Sequence, residues 1–292
     1  MRQTAGVELL GVIELSFDPA IHIGDVMVRW QAIGITMALL IGLGLASLLD
    51  DELARVLGAR EAMRIDDMVY IVLGIVPGAV VGGRLVHGLA FLDAYAGDPV
   101  KLLDLSVGTL SLTGALLGGT LSGIYVARLI GAPVRRWADV AVVPLLLTLG
   151  LGKFAQLLGG SGQGAAWDGP WAVAFVGAGP WTSPAPAMPA HPAQIYEGIW
   201  LILGIFVVLA WVVTGKPWRS RIRQRLKDER GSGRFFVAMI VWFLLGRVVV
   251  GFTWRDDLVL GPVNVEQAVA MAMLAAGFVA GLFVRGRSIV KR

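Results

Sequence analysis

Cysteine is absent from the 292 residues. That removes disulfides, thiolate metal sites and a cysteine nucleophile from the chain itself, and leaves open a cysteine on whatever it acts upon. Charge is scarce too. Asp, Glu, Lys and Arg make up 16% of residues, against about 25% in an average soluble domain. With 56% hydrophobic residues, a soluble fold of this length lacks the polar side chains to cover its surface. A further scarcity is local: the stretch 159–191 contains no Lys or Arg. A cleavable signal peptide is not expected, because the apolar stretch Val7–Leu15 is short and carries Glu8 and Glu14.

What is abundant is long apolar runs. Roughly 20 apolar residues cross a bilayer as a helix, and helices satisfy their own backbone in lipid. Seven segments qualify: 27–49, 67–92, 106–130, 137–158, 192–214, 234–253 and 263–284. The expected fold is all-α, a polytopic bundle of about seven transmembrane helices forming a single integral membrane domain over 1–292. The connection 159–191, rich in Gly, Pro and Trp, is expected to be a loop or lid.

Basic residues set the orientation. Arg55, Arg60 and Arg64 lie on one side, with Arg128, Arg135 and Arg136. The connection 215–234 adds Lys216, Arg219, Arg221, Arg223, Arg225, Lys227, Arg230 and Arg234, and the tail adds Arg285, Arg287, Lys291 and Arg292. These are 18 of the 25 cations; the other side holds only Arg2, Arg29, Lys101 and Arg255. The asymmetry predicts an external N-terminus and a cytoplasmic C-terminus. The run 216–234 reads as a topogenic loop touching anionic headgroups, not a nucleic-acid site.

The remaining cations, Arg84, Lys153 and Arg247, fall inside spans, with His87 and Glu197. A charge at the bilayer centre costs about 2.5–3.5 kcal/mol even on insertion scales, so each is a functional candidate. Helical rise places Arg84 roughly 12 Å below the outer end of its span, and Lys153, Arg247 and Glu197 roughly 8–9 Å below theirs. Thr113 has a similar depth. The pattern predicts a polar site toward the outer leaflet, suited to an anionic headgroup because Arg and Lys bind phosphate. The competing reading is structural ion pairing, such as Arg247 with Glu197, or snorkelling. His191-Pro192 opens the fifth span, where proline needs no amide donor, and Gln194, Tyr196 and Glu197 make that opening unusually polar.

Several segments resemble, in order, the prolipoprotein diacylglyceryl transferase family of bacterial lipoprotein maturation. They are FDPAIHIGDVMVRW (17–30), GGRLVHGLAF (82–91), SLTGALLGGTLSG (111–123), HPAQIYEGIW (191–200) and GRVVVGFTWRDD (246–257). The resemblance implies a multi-pass protein of the bacterial plasma membrane that moves a diacylglyceryl group from phosphatidylglycerol to the lipobox cysteine of a prolipoprotein signal peptide. It implies no cofactor or metal, and as partners phosphatidylglycerol or another anionic phospholipid, the prolipoprotein and the bilayer, with no nucleic acid. The reaction needs cations on the phosphate, for which Arg84, Arg247 and Lys153 are candidates, with Gln194 and Tyr196 as further lipid-binding groups. It also needs a base for the thiol, for which His191, Glu197 and His87 are candidates.

The chain departs from the family pattern at several positions. Gln31 stands where the family has tyrosine, Thr113 where it has histidine, and Gly150 where it has arginine. Lys153 stands for asparagine, and Leu158 and Gly251 for glutamates; Arg255 is offset by one from a late arginine. Two readings therefore stay open: transfer with shifted residues, or a catalytically impaired paralogue that binds anionic phospholipid or lipoprotein precursor without transfer. A transporter is disfavoured, since it would more typically show internal repeats and a midplane site.

Overall fold

The computed structural model describes residues 11–57, 65–98, 100–101, 110–213 and 233–290. Most of the basic connection 215–234, with Arg60, Arg64, Lys291 and Arg292, lies outside them. In chain order the elements are β1 (Ile13–Leu15), β2 (Ala20–Ile23), β3 (Val26–Arg29), α1 (Trp30–Leu57), α2 (Ile65–Ala90), α3 (Leu92–Tyr95) and α4 (Leu112–Leu129). There follow α5 (Val134–Gln156), β4 (Val173–Phe175), α6 (Ala193–Val213), α7 (Arg234–Gly251), β5 (Leu258–Leu260), β6 (Val263–Asn264) and α8 (Val265–Val290). Seven of these helices, all but the single turn α3, are long and apolar enough to cross a membrane. They match the seven expected segments, and the chain is a multi-pass membrane protein.

Helix ends differ from the expected ones for local reasons. Residues 27–29, counted in the first span, pair as β3 with β2, so α1 begins at Trp30. The Ser111 hydroxyl accepts from the Gly114 amide at 3.0 Å, an N-cap that starts α4 several residues later than hydropathy suggests. Val263 and Asn264 pair with β5 and precede α8.

Packing divides the chain into two compact units, to which α1, α5 and α6 each contribute separate turns. One comprises Met1–Gly42, Leu145–Ile205 and Phe252–Asp256. In it α1 approaches α5 closely: a β-carbon at Gly34 would come within 2.7 Å of the Ala155 β-carbon. The connection 159–191, expected as a loop or lid, is packed into this unit. Its strand β4 runs parallel to β1, and Ala172, Val173, Ala174 and Phe175 are buried. The Gln163 amide donates to the Met188 carbonyl at 2.9 Å and to the carbonyls of Val173 and Pro186 at 3.2 and 3.3 Å, and its carbonyl takes the Ser183 hydroxyl. Within this Gly- and Pro-rich connection the buried Gln163 side-chain amide ties several backbone carbonyls together.

The other unit comprises Leu43–Pro144, Phe206–Gly251 and Asp257–Arg292. Its central contact is α2 on α4. Both helices carry a G-x-x-x-G pair, Gly78/Gly82 and Gly114/Gly118, which lets transmembrane backbones approach. A β-carbon at Gly82 would collide with the Gly114 carbonyl, and one at Gly118 with the Gly78 carbonyl. The opposite faces, for example Leu85 and Leu121, are about 60% exposed, as suits a surface facing acyl chains.

Candidate active site

In the second unit the α2–α4 contact places two candidates, Arg84 and Thr113, both buried. From α7 comes Arg247. Its Nη2 lies 3.2 Å from Glu266 Oε2 on α8, and its Nε donates to Thr113 Oγ1 at 3.3 Å. The Ser111 and Thr113 hydroxyls also donate to Glu266. Thr113 thus accepts from the guanidinium and donates to the carboxylate. Arg247 and Glu266 are each about nine-tenths buried at the side chain, where a charge persists only when paired and hydrogen-bonded. The charges of Arg84 and Glu266 both reach His87, which packs on Phe91 and Tyr95 with ring centroids 4.6 and 6.1 Å apart.

The start of α8 is built to hold this carboxylate. Asn264 and Gln267 form a reciprocal cap: the Asn264 amide donates to Gln267 Oε1 at 3.0 Å, and the Gln267 amide to Asn264 Oδ1 at 2.9 Å. Their side-chain amides then donate to the Gly251 and Val248 carbonyls at the end of α7. Glu266 sits in the first turn, where a negative charge is favoured by the helix dipole. The same cap accounts for Gly251, since a β-carbon there would come within 2.5 Å of Gln267 Cγ. A glutamate at 251 has no room while Gln267 occupies that place.

In the first unit Lys153 Nζ lies 2.9 Å from Glu197 Oε2, linking the last turn of α5 to the start of α6. Gly150, at the family's arginine position, faces Ile202: a β-carbon would lie 2.9 Å from Ile202 Cδ1. A larger residue there would require Ile202 to shift, and Lys153 carries a cation one turn on. Gln31 accepts from the Ser161 hydroxyl at 2.8 Å. Gln194 is fully buried, with both amide atoms unpartnered.

His191 precedes α6. Its amide donates to Ala165 and its carbonyl accepts from Gly164, and its ring stacks on Trp167 at 4.4 Å with an interplanar angle of 10°. The Tyr196 hydroxyl lies 3.4 Å from His191 Nδ1 and accepts from Trp171 Nε1 at 2.8 Å. Burial pushes the His191 imidazole below its ordinary value, favouring the neutral ring.

Of the sequence candidates, Lys153 joins Glu197, and His191 joins Tyr196. Within the second unit Arg247 joins Thr113 and Glu266. Sequence reasoning missed Glu266, Ser111, Trp167 and Trp171. Glu266 follows directly on the predicted start of the seventh span at 263, where a carboxylate reads as a solvated flank; the N-x-x-Q cap around it was the available signal that a helix starts there. Among the described residues no group of His, Cys, Asp and Glu is arranged to hold a metal ion.

One prediction arises directly from the unit-one pair. Lys153→Met should weaken retention of phosphatidylglycerol, measured by native mass spectrometry, if the ammonium serves phosphate as well as Glu197. Unchanged retention would confine Lys153 to its ion pair.

A family model described as prolipoprotein diacylglyceryl transferase matches residues 18–283. Among curated relatives, the phosphatidylglycerol–prolipoprotein diacylglyceryl transferase of Geobacter sulfurreducens is 30% identical over 78% of this chain and 82% of its own length. That of a Nostoc species is 27% identical, covering 92% of this chain and 90% of the relative. That of Bacillus cereus is 24% identical, covering 93% of each. With a family match spanning nearly its whole length and a buried site at the matched motifs, the chain belongs to the prolipoprotein diacylglyceryl transferase family.

Proposed function

We propose that this protein transfers the diacylglyceryl group of phosphatidylglycerol to the lipobox cysteine of a prolipoprotein, in the bacterial plasma membrane with its N-terminus outside. The observation that carries the reading is the buried Arg247–Thr113–Glu266 network, in a unit that also buries Arg84. Such cations, fixed before the reaction, stabilise charge as it grows on a phosphate. The thiol sulfur forms a bond to the terminal glycerol carbon, the carbon–oxygen bond to phosphate breaks, and glycerol phosphate leaves. The thiol proton passes to a base. Glu197 is engaged by Lys153, and the half-buried imidazole of His87, in the same unit as Arg84 and Arg247, is taken as the acceptor. Lys153, Gln194 and Tyr196 contribute to lipid binding, and the absence of cysteine from the chain fits an acceptor thiol supplied entirely by the substrate.

The test is expression in a host depleted of its own transferase, with phosphatidylglycerol and a lipobox peptide supplied to the purified protein. The expected result is a thioether-linked product and glycerol phosphate in equal amounts. Lipid bound without product, alongside a second family member with the full motifs in the same genome, would establish the non-transferring alternative.

A further inference from the structure

Trp171 is an unusual residue that the motifs do not include. Its backbone φ is 58°, the only positive value at a non-glycine among the described residues. That region is costly for a bulky side chain and persists only where surroundings enforce it. The indole is nearly half exposed, so burial is not the reason for the strain. What the conformation achieves is placement of Nε1 at 2.8 Å from the Tyr196 hydroxyl.

That bond has a consequence one step further on. An indole N–H only donates, so the phenol oxygen of Tyr196 is the acceptor and keeps its own proton to give. The neighbouring nitrogen is His191 Nδ1, 3.4 Å away. Were Nδ1 protonated, two donors would converge on one phenol oxygen and the phenol proton would have to turn to solvent. With Nδ1 bare, each proton has an acceptor. The plane of the His191 ring is held by Trp167, which lies flat against it, and by backbone hydrogen bonds to Gly164 and Ala165. Trp171 in turn packs on Trp167, with ring centroids 5.6 Å apart.

We propose that Trp171 is a positioning residue: through Tyr196 it holds His191 in the tautomer with Nδ1 bare and the proton on Nε2, so that the ring presents an N–H to an anionic oxygen of the lipid substrate. Resting on the transfer reading for that last clause, this takes His191 out of the set of bases for the thiol and makes it a neutral donor. A neutral imidazole fits the role, since its ordinary value is already depressed by burial.

The experiment uses the full chain in lipid nanodiscs with nitrogen-15 histidine. There are three histidines, and substitution of His22 and His87 identifies the His191 signals. The expected spectrum shows an unprotonated Nδ1 and a protonated Nε2. Trp171→Phe keeps an aromatic ring beside Trp167 and removes the N–H; it should mix the two tautomers and lower kcat about tenfold, equivalent to about 1.4 kcal/mol, with KM little changed. Should that variant fail to fold, Tyr196→Phe must release the tautomer in the same way. A wild-type His191 protonated on Nδ1, or a tautomer ratio indifferent to Trp171→Phe and Tyr196→Phe, overturns the inference. The spectrum is read whether or not lipid is transferred, so loss of the transfer reading and loss of this one are separate results.

Discussion

Arg247→Ala should destabilise the protein by about 3–5 kcal/mol, the usual cost of leaving one partner of a buried ion pair alone, and abolish transfer. The carboxylate left behind, Glu266, keeps the Ser111 and Thr113 hydroxyls but loses the guanidinium at 3.2 Å. The informative comparison is the double substitution Arg247→Met with Glu266→Gln. Removing both charges and retaining volume is often neutral or stabilising, so thermal unfolding in detergent should return toward the wild-type midpoint while transfer stays absent. Glu266→Gln alone should resemble Arg247→Ala in stability and keep residual turnover, because the cation remains. A double variant that regains activity together with stability would show that Arg247 serves the fold and not the phosphate.

The second large effect lies on helix packing. Gly82→Val should cost about 3 kcal/mol or more, beyond ordinary overpacking of a core, because the obstacle is the Gly114 carbonyl and not a side chain that can turn away. Since Gly82 lies two residues before Arg84, separation of α2 from α4 also displaces that buried guanidinium. Transfer should therefore fall further than the loss of folded protein explains. Gly277→Ala on α8 is the control: nothing lies within 4 Å of a β-carbon there, and the change should leave both stability and turnover near wild type. Unfolding midpoints and initial rates on the same preparations separate the two consequences.

The seven spans were legible because a membrane helix writes itself as a long apolar run, and nothing in the packing contradicts that pattern. Arg84, Lys153, Glu197 and Arg247 were legible for the converse reason: a charge in an apolar run is costly enough to stand out, whether it serves a substrate or an ion pair. Their partners were not. The pairing of Arg247 with Glu266 depends on which helices neighbour each other, which periodicity does not encode. The departures from the family motif were visible, but their causes were steric. Gly150 is set by Ile202 and Gly251 by Gln267, contacts between residues 52 and 16 positions apart in the chain. Trp171 carried no signal at all. A tryptophan in a glycine- and proline-rich connection reads as an interfacial anchor, and only its backbone angle and its bond to Tyr196 mark it.

The two ion pairs share a connectivity with a bearing on biogenesis. Lys153 and Glu197 lie on consecutive spans, α5 and α6; so do Arg247 and Glu266, on α7 and α8. In each case the cation belongs to the earlier helix and the carboxylate lies near the start of the next, Glu266 in its first turn and Glu197 one residue beyond it. A nascent chain that inserts these helices as hairpins delivers both charges to the membrane within one step, and neither has to wait in hydrocarbon for a distant partner. The buried charges would then enter the membrane as neutral couples, each completed by its own hairpin.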